Sequence, residues 1–259
     1  MTVVLCGIGC DTTNAGRVAP LRDDGCFEYV PIPEKTRATE ETVTYGAWPL
    51  RCREGVAADL LSRITPDPSE GTTYHGDALR EWPLHHDPNF DALAYGEHRP
   101  AYVDRLRRLD PGDVVGFYAG LRRPGGERAH RYLIGYFSVG AVEVIPPDAT
   151  REEAAAVFER HPENAHAKRA RAGGRYDDEE TVALVAGREP GGLFERDPVR
   201  MSTYEVKPGN ERAQYYLDPG FAERFRVSEG RENMQFKPAY LCEMAGAAFV
   251  EEVGVPAEW

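Results

Sequence analysis

The sequence predicts an α+β protein with a mixed, partly barrel-like β-sheet and flanking helices. Apolar runs at residues 2–9, 112–120 and 131–145 are rich in β-branched residues and are typical of buried strands. Apolar residues recur at helical spacing over residues 55–64 and 102–109, which predicts two core helices. The unbroken apolar character of the longest run indicates burial on both faces or closure of the sheet into a barrel.

The first third of the chain is expected to combine strands with irregular segments. The strand at residues 2–9 is followed by a turn at residues 22–25 and by a second strand at Phe27–Ile32. The helix over residues 55–64 leads into a loop at residues 65–71, where Pro and Gly are frequent.

The middle of the chain carries the clearest signals of local structure. The two long strands at residues 112–120 and 131–145 are joined by a hairpin loop rich in Arg and Gly. We expect the next helix to begin at Thr150, because Thr150 and Glu153 form a capping box. The remaining predicted elements are a strand at 181–186, a turn at 191–192, a short helix from Asp218 and a strand or helix over 239–253.

The composition favours one domain that spans residues 1–259. With 41% hydrophobic residues the chain is able to bury a full core. No stretch approaches about 18 consecutive apolar residues, and no basic segment precedes an apolar one near residue 1, so neither a membrane helix nor a signal peptide is predicted. The expected location is the cytoplasm, without a membrane partner.

The five cysteines are expected to be structural thiols. Their number is odd, they are widely spread, and they include no C-x-x-C pair, which argues against a disulfide framework or a zinc ribbon. They are Cys6, Cys10, Cys26, Cys52 and Cys242.

The charge balance indicates a halophilic, salt-adapted protein. Asp and Glu number 43 against 31 Lys and Arg, and the basic residues include only four lysines. Carboxylates hold water and ions, whereas long lysine stems would expose hydrocarbon. Concentrated salt weakens phosphate binding through counterion release, by about 0.9 log units per neutralised phosphate for each tenfold rise in salt. A nucleotide ligand would therefore have to be held by its base or sugar.

A polar turn after the first strand is a candidate site. Asp11 is a candidate general base, and Thr12 and Asn14 are candidates for binding a ribose or a phosphate. The alternative is an Asx turn that ends at Gly16. Glu34 would be a second carboxylate opposite Asp11, held on a stiff Pro-rich segment, unless it is one of many surface acids.

Residues 85–87 form a second candidate site, because two imidazoles and a carboxylate are consecutive. His85 and His86 are candidate acid or base catalysts that Asp87 would orient, and Pro88 fixes the local backbone. The same groups are able to bind a metal, but the chain lacks metal-ligand spacing, so no metal is predicted. No cofactor is assigned either.

A third candidate site lies at Asn164, His166 and Arg169. An amide, an imidazole and a guanidinium are sufficient to read a base edge and to clamp a phosphate. The surrounding residues 163–175 carry four basic residues and one acid, a local surplus of +3. The alternative is an exposed helix end that the acidic residues 177–180 neutralise.

Common enzyme signatures are absent from the sequence. It contains no phosphate-binding G-x-x-x-x-G-K-[ST], no G-x-G-x-x-G after a strand, no G-x-S-x-G and no zinc-deaminase signature. This excludes the usual ATPase, dehydrogenase and hydrolase patterns.

Four blocks in the same order resemble the nucleotide modification associated domain family, type three, over about four fifths of the chain. The resemblance implies an association with nucleobase or DNA modification, with a nucleotide or modified nucleic acid as the ligand. The blocks are the opening strand with its polar turn and Tyr45, His85-x-Asp87-Pro88-x-Phe90 with Tyr95-Gly96, the strand from Gly112 to Arg122, and Asn164-Ala165-His166-x-x-Arg169. Tyr45 is a further candidate for binding the substrate.

Residues 109–145 also resemble the core of the PUA-like superfamily, which includes EVE and ASCH domains. Members of this superfamily hold a modified or flipped base in a small barrel, which implies that Phe117 and Tyr118 stack on a base. The alternative is that Gly112-Asp113 is only a turn and that Phe117 belongs to the core.

Three hypotheses about function follow from these observations. The first is a nucleotide-handling enzyme in which Asp11, His85 or His86, Asn164, His166 and Arg169 meet at one cleft. The second is a non-catalytic reader of modified bases that uses Phe117 and Tyr118. The third is a structural partner of a DNA-modification enzyme.

Overall fold

The computed structural model describes residues 2–126, 128–173 and 181–254. These residues form the strands β1 Val3–Gly7, β2 Ala19–Pro20, β3 Ala94–Glu97, β4 Val114–Arg122, β5 Ala129–Ile145, β6 Val182–Leu193, β7 Val199–Arg200, β8 Ser202–Glu205, β9 Gln214–Leu217, β10 Val227–Glu229 and β11 Tyr240–Cys242. The α-helices are α1 Gly76–Arg80, α2 Pro100–Leu106, α3 Arg151–Arg160, α4 Ala165–Arg171, α5 Pro219–Arg224 and α6 Gly246–Val253. The predicted α+β class is confirmed.

The main sheet is mixed and open. Its strand order is β10-β11-β1-β4-β5-β6-β3, with β2 added to β4 and β7 added to β5. The strand β1 is parallel to β4 and antiparallel to β11. Because β10 and β3 lie at opposite edges, the sheet does not close into the barrel that the long apolar run suggested.

Both faces of the sheet are covered, which explains the unbroken apolar strands. Neighbouring residues of β4 point to opposite sides, so Phe117 joins a core with Tyr102 of α2, whereas Tyr118 joins a core with Phe225 and Phe249. Burial on both faces, and not barrel closure, is therefore the reason for the sequence pattern.

Helix boundaries follow the capping signals. The hydroxyl of Thr150 accepts a hydrogen bond from Glu153 N at 3.2 Å, and the Glu153 carboxylate accepts one from Thr150 N at 2.8 Å. The carboxylate of Asp218 likewise accepts from Phe221 N at 2.9 Å and begins α5. Both predicted starts are confirmed.

Three predicted elements differ from the structure. Residues 27–32 form a buried irregular segment, joined to residue 21 by one isolated bridge, and not a strand. Residues 55–64 contain only the short 3-10 helix Ala57–Asp59, in which Leu60 N donates to Ala57 O, three residues earlier. Ala57 N and Ala58 N donate to Trp48 O and Tyr45 O, which joins this turn to the preceding segment. The predicted turn at residues 191–192 lies inside β6, which pairs with β5 through shifts in register.

Two cysteines are not thiols. Cys26 and Cys52 form a disulfide, so the prediction of thiols throughout was wrong for this pair. The reason it was missed is that their proximity arises from tertiary structure, since 26 residues separate them. Cys6, Cys10 and Cys242 are free and buried, as expected. Among the described residues, no helix combines the length and the apolar character needed to cross a bilayer.

Candidate functional site

Polar side chains from three distant segments meet beside β3 and α4. They belong to the Pro-rich segment before residue 35, to residues 85–87 and to α4, and they are Glu34, His85, Asp87, His166 and Arg169. We call these five side chains the polar cluster. His85, Asp87 and His166 are 6%, 7% and 6% exposed, and Glu34 is completely buried. Ionisable groups are rarely this buried without a specific partner or a function.

Backbone hydrogen bonds hold the segment that carries His85 and Asp87. His85 N donates to Ile32 O at 2.8 Å, and Asp87 N donates to His85 O at 2.7 Å. The hydroxyl of Tyr29 donates to Asp87 O at 3.2 Å. The irregular backbone is therefore fixed although it belongs to no helix or strand.

Asp87 lies between the two imidazoles. Its Oδ2 is 3.6 Å from His85 Nε2 and 3.5 Å from His166 Nε2. Gly96 N donates to both carboxylate oxygens, at 3.0 and 3.1 Å. Burial raises the pKa of Asp87 to about 8, although His85 and the hydrogen bond from Gly96 favour the charged form.

Glu34 lies on the far side of His85. Its Oε2 is 3.0 Å from His85 Nδ1, and its Oε1 accepts from Arg169 Nε and from Lys35 N. Burial by itself would raise the pKa of Glu34, but His85 and Arg169 outweigh this effect and hold the pKa at about 2. Glu34 is thus a buried charged partner of His85 and Arg169, and not a surface acid.

The N-cap of α4 positions His166. The side-chain oxygen of Asn164 accepts from His166 N at 2.9 Å, which fixes the first turn of the helix. The imidazole of His166 makes edge-to-face contacts with His85 and His98, with ring centroids 5.0 and 5.7 Å apart. Burial and the nearby Arg169 lower the pKa of His166 to about 4.

The missing side chain of Gly96 makes room for this arrangement. A Cβ at this position would lie 2.5 Å from His166 Cδ2 and 2.9 Å from Asn164 Oδ1. Only glycine therefore allows α4 to approach β3 this closely. The side-chain amide nitrogen of Asn164 is buried beside Gly96 and has no hydrogen-bond partner among the described residues.

His86 is not part of the polar cluster. Its ring makes an edge-to-face contact with Trp48, with centroids 4.8 Å apart. Burial lowers the pKa of His86. Of the two consecutive histidines, only His85 contacts Asp87 and Glu34, because neighbouring side chains of an extended segment point in opposite directions.

Glu97 is a buried carboxylate next to the cluster that sequence reasoning missed. It accepts from the hydroxyl of Tyr95 at 2.9 Å and from the backbone N and the guanidinium of Arg99. Arg99 Nη2 also donates to Gly7 O at 3.3 Å, which joins β3 to the end of β1. The position of Glu97 directly after Tyr95-Gly96 was the available signal.

Asp11 makes its contacts elsewhere. Its Oδ1 accepts from Thr13 N at 2.7 Å, and Asn14 Oδ1 accepts from Asp11 N at 2.9 Å, so this segment forms the Asx-type turn that was the alternative. Its Oδ2 is 3.1 Å from Lys237 Nζ. Thr12 lines a separate cleft of about 980 Å³ whose wall includes Arg17, Arg22, Arg53, Arg122 and Arg123.

Three aromatic side chains that were predicted to bind substrate are fully buried. Tyr45, Phe117 and Tyr118 are each 0% exposed. The hydroxyl of Tyr45 donates to Pro31 O at 2.9 Å, and that of Tyr118 donates to Pro238 O at 2.5 Å. None of the three rings offers a face on which a base could stack in this structure.

The basic residues of α4 have acidic partners in the first third of the chain. Lys168 Nζ is 3.1 Å from Glu41, and Arg171 Nε is 2.7 Å from Glu40. The local surplus of positive charge is thus neutralised by tertiary contacts. Arg175 and the acidic run at residues 177–180, which the alternative required, lie outside the described residues.

The open mixed sheet and the polar cluster beside it define an α+β protein with a buried ionisable site. The sequence matches the family model described as nucleotide modification associated domain 3 over residues 2–252. The chain therefore belongs to this family, as the order of its motifs predicted. No curated protein and no solved structure matches the chain in the corresponding comparisons. The resemblance of residues 109–145 to PUA-like domains stays a prediction.

Proposed function

We propose that the protein is a nucleotide-modifying enzyme and that its reaction centre consists of His85, Asp87 and His166. The family associates the chain with nucleotide modification. The assignment to these residues depends on one observation. One imidazole nitrogen of each histidine and one carboxylate oxygen of Asp87 lie within 4.8 Å of one another in the interior of the protein.

Energetics support a reaction centre over a purely structural role. Removing ionisable groups from water is costly unless each is paired, and the distances of Asp87 to the two imidazoles are longer than a normal hydrogen bond. Buried, imperfectly paired groups with displaced pKa values, such as Asp87 and His166, are characteristic of functional sites.

The neighbouring residues suit a nucleotide as substrate. The unpartnered amide nitrogen of Asn164 is a hydrogen-bond donor beside His166, and it would recognise an acceptor on the edge of a base. Lys35 is exposed and follows Glu34, and the side chain of His98 is 31% exposed while its ring contacts that of His166. These residues mark the side from which an anionic ligand would approach the cluster.

A gene-replacement experiment tests the proposal. Nucleosides from DNA and from the free pool would be compared by mass spectrometry in cells with the gene, without it, and with the His166→Gln or His86→Phe variant. We expect one modified nucleoside to disappear with the gene, to return with wild type and with His86→Phe, and to stay absent with His166→Gln.

His86→Phe is a matched control, because it alters a buried histidine of the same segment that contacts Trp48 and not Asp87. Equal thermal unfolding of the two variants would exclude loss of folding as the cause. An unchanged nucleoside profile after deletion, or full restoration by His166→Gln, would refute the proposal.

A further inference from the structure

We propose that His85, Asp87 and His166 bind one divalent first-row transition metal ion, and that Glu34 positions His85 for this role. This inference rests on the proposed function, because a catalytic role of the metal would be part of that function at the same cluster. Metal binding is nevertheless measurable without a substrate, so the two proposals can fail separately.

The distances from Asp87 to the two imidazoles fit a shared metal, and the ligand atoms of all three side chains lie within 4.8 Å of one another. Ligand atoms about 2.1 Å from a tetrahedral metal lie about 3.4 Å from one another. The observed distances from Asp87 Oδ2 are 3.6 Å to His85 Nε2 and 3.5 Å to His166 Nε2. These distances are too long for good hydrogen bonds and close to those between two ligands of one ion.

The donor set indicates the class of metal. Two imidazole nitrogens and one carboxylate oxygen favour zinc, iron or manganese, whereas magnesium and calcium prefer oxygen ligands alone. Three protein ligands also leave at least one coordination position open, as in catalytic centres, whereas structural zinc sites are closed by four protein ligands.

The surroundings of the ligands resemble the outer shell of a metal site. The Nδ1 atom of His85 lies 3.0 Å from Glu34 Oε2 and 3.0 Å from Arg169 Nη2. When Nε2 binds the metal, the proton of the neutral ring is on Nδ1, where it donates to the Glu34 carboxylate. Arg169 also donates to Glu34, which fixes the carboxylate. On the opposite side, Gly96 N holds both oxygens of Asp87.

Asn164 supplies a second, independent observation. Its amide nitrogen is buried without a partner, although its oxygen is occupied by His166 N. A buried donor left unpaired costs free energy. An oxygen bound at the open position of the metal, from water or from a substrate, would satisfy it.

Metal analysis of the purified full chain tests the inference directly. Protein produced in medium with zinc, iron and manganese would be analysed by mass spectrometry of the elements, under air and without oxygen. We expect one metal ion per wild-type chain, a loss of about tenfold or more in His85→Phe and His166→Phe, and full retention in the matched control His86→Phe. Retention of metal by His166→Phe would overturn the inference.

Cobalt titration keeps the test valid if a ligand variant fails to fold. Wild-type protein stripped of metal by a chelator would be titrated with Co²⁺, whose visible absorption reports coordination by nitrogen and oxygen. We expect saturation at one equivalent and displacement by Zn²⁺. Absence of a saturable band in wild type, together with absence of metal after purification, would overturn the inference.

The Glu34→Gln variant tests the positioning role. We expect it to keep the cobalt spectrum but to bind the ion about 10–100-fold more weakly, because the amide orients His85 less strongly than a carboxylate does. Unchanged affinity would show that Glu34 has no positioning role. The two proposals can also fail separately. If the wild-type protein binds one equivalent of metal and the His166→Gln variant leaves the nucleoside profile unchanged, only the proposed function is refuted.

Discussion

Glu34 and His85 face each other in the protein interior, with Oε2 and Nδ1 3.0 Å apart. The sequence separates them by 51 positions. One is held by the Pro-rich segment and the other by the irregular segment that precedes β3. Because Glu34 also pairs with Arg169 of α4, this carboxylate connects three parts of the chain at one point.

The pair of Glu34 and Arg169 is expected to be strongly coupled. Glu34→Gln leaves a guanidinium that is 11% exposed without its charged partner, which should lower the free energy of unfolding by about 3–5 kcal/mol. Arg169→Met should cost a similar amount, and the double variant should cost clearly less than the sum of the two. Urea unfolding of the metal-free protein measures all three values.

The control for this cycle is the exposed pair of Lys207 and Glu232, whose side chains are 34% and 78% exposed. Glu232→Gln should leave the free energy of unfolding nearly unchanged, because solvent screens an exposed ion pair. Additive effects of Glu34→Gln and Arg169→Met would contradict the proposed coupling.

Gly96→Ala should displace His166 from the polar cluster. The new Cβ would lie 2.5 Å from His166 Cδ2, so either α4 or β3 has to shift. We expect a loss of about 1–3 kcal/mol in unfolding free energy and weakened binding of Co²⁺. Gly254→Ala is the control, because its Cβ would meet no atom closer than 3.4 Å. Cobalt affinity equal to wild type in Gly96→Ala would disprove the role of this close approach.

Asn164 is expected to stabilise α4 through its oxygen alone. Asn164→Ala removes the acceptor of the hydrogen bond from His166 N and should cost about 0.5–2 kcal/mol. Asn164→Ser keeps a capping oxygen but removes the amide nitrogen, so its stability should stay close to that of wild type. Thermal unfolding of the two variants distinguishes them, and equal losses in both would mean that capping is not the cause.

Asp11 should stabilise the fold in a pH-dependent way. Burial would raise the pKa of Asp11, but Lys237 outweighs it and the pKa lies below its ordinary value. A carboxyl whose pKa is lower in the folded state contributes stability above its unfolded pKa and loses it as the pH falls through the folded pKa. Asp11→Asn should therefore cost about 1–3 kcal/mol at neutral pH, and this cost should shrink below about pH 4.

Urea unfolding at neutral and acidic pH measures the effect of Asp11→Asn. Asp104→Asn is the control, because Asp104 pairs with Arg107 on the surface and both side chains are more than half exposed. A cost of Asp11→Asn that is equal at both pH values would contradict the ion pair with Lys237 as its source.

Local signals in the sequence were sufficient for part of the fold. The starts at Thr150 and Asp218 depend on side chains within three residues of the helix, so a local pattern identifies them. The segment at residues 27–32 has the composition of a strand, yet it forms no ladder. Its backbone hydrogen bonds go to distant partners such as Cys10 and His85, which no local pattern contains.

The candidate site was predictable in its members but not in its arrangement. His85, Asp87 and His166 were recognisable because of their residue types and their place in the family motifs. Their convergence depends on Gly96 and on the packing of α4 against β3, which are tertiary properties. For the same reason the sequence did not reveal that these three side chains lie together, since the third comes from a helix far along the chain, outside any local ligand spacing.

The strand β1 lies between β4 and β11, so its backbone groups depend on hydrogen bonds with two segments that are distant in the sequence. Val3 lies opposite Val114 on one side and opposite Cys242 on the other. Proteolytic loss of the segment around β11 would uncover a row of unpaired backbone groups on a fully apolar strand, and such an edge recruits strands from other molecules. The strand β11, which is last in chain order, thus keeps β1 from becoming an exposed edge of the sheet.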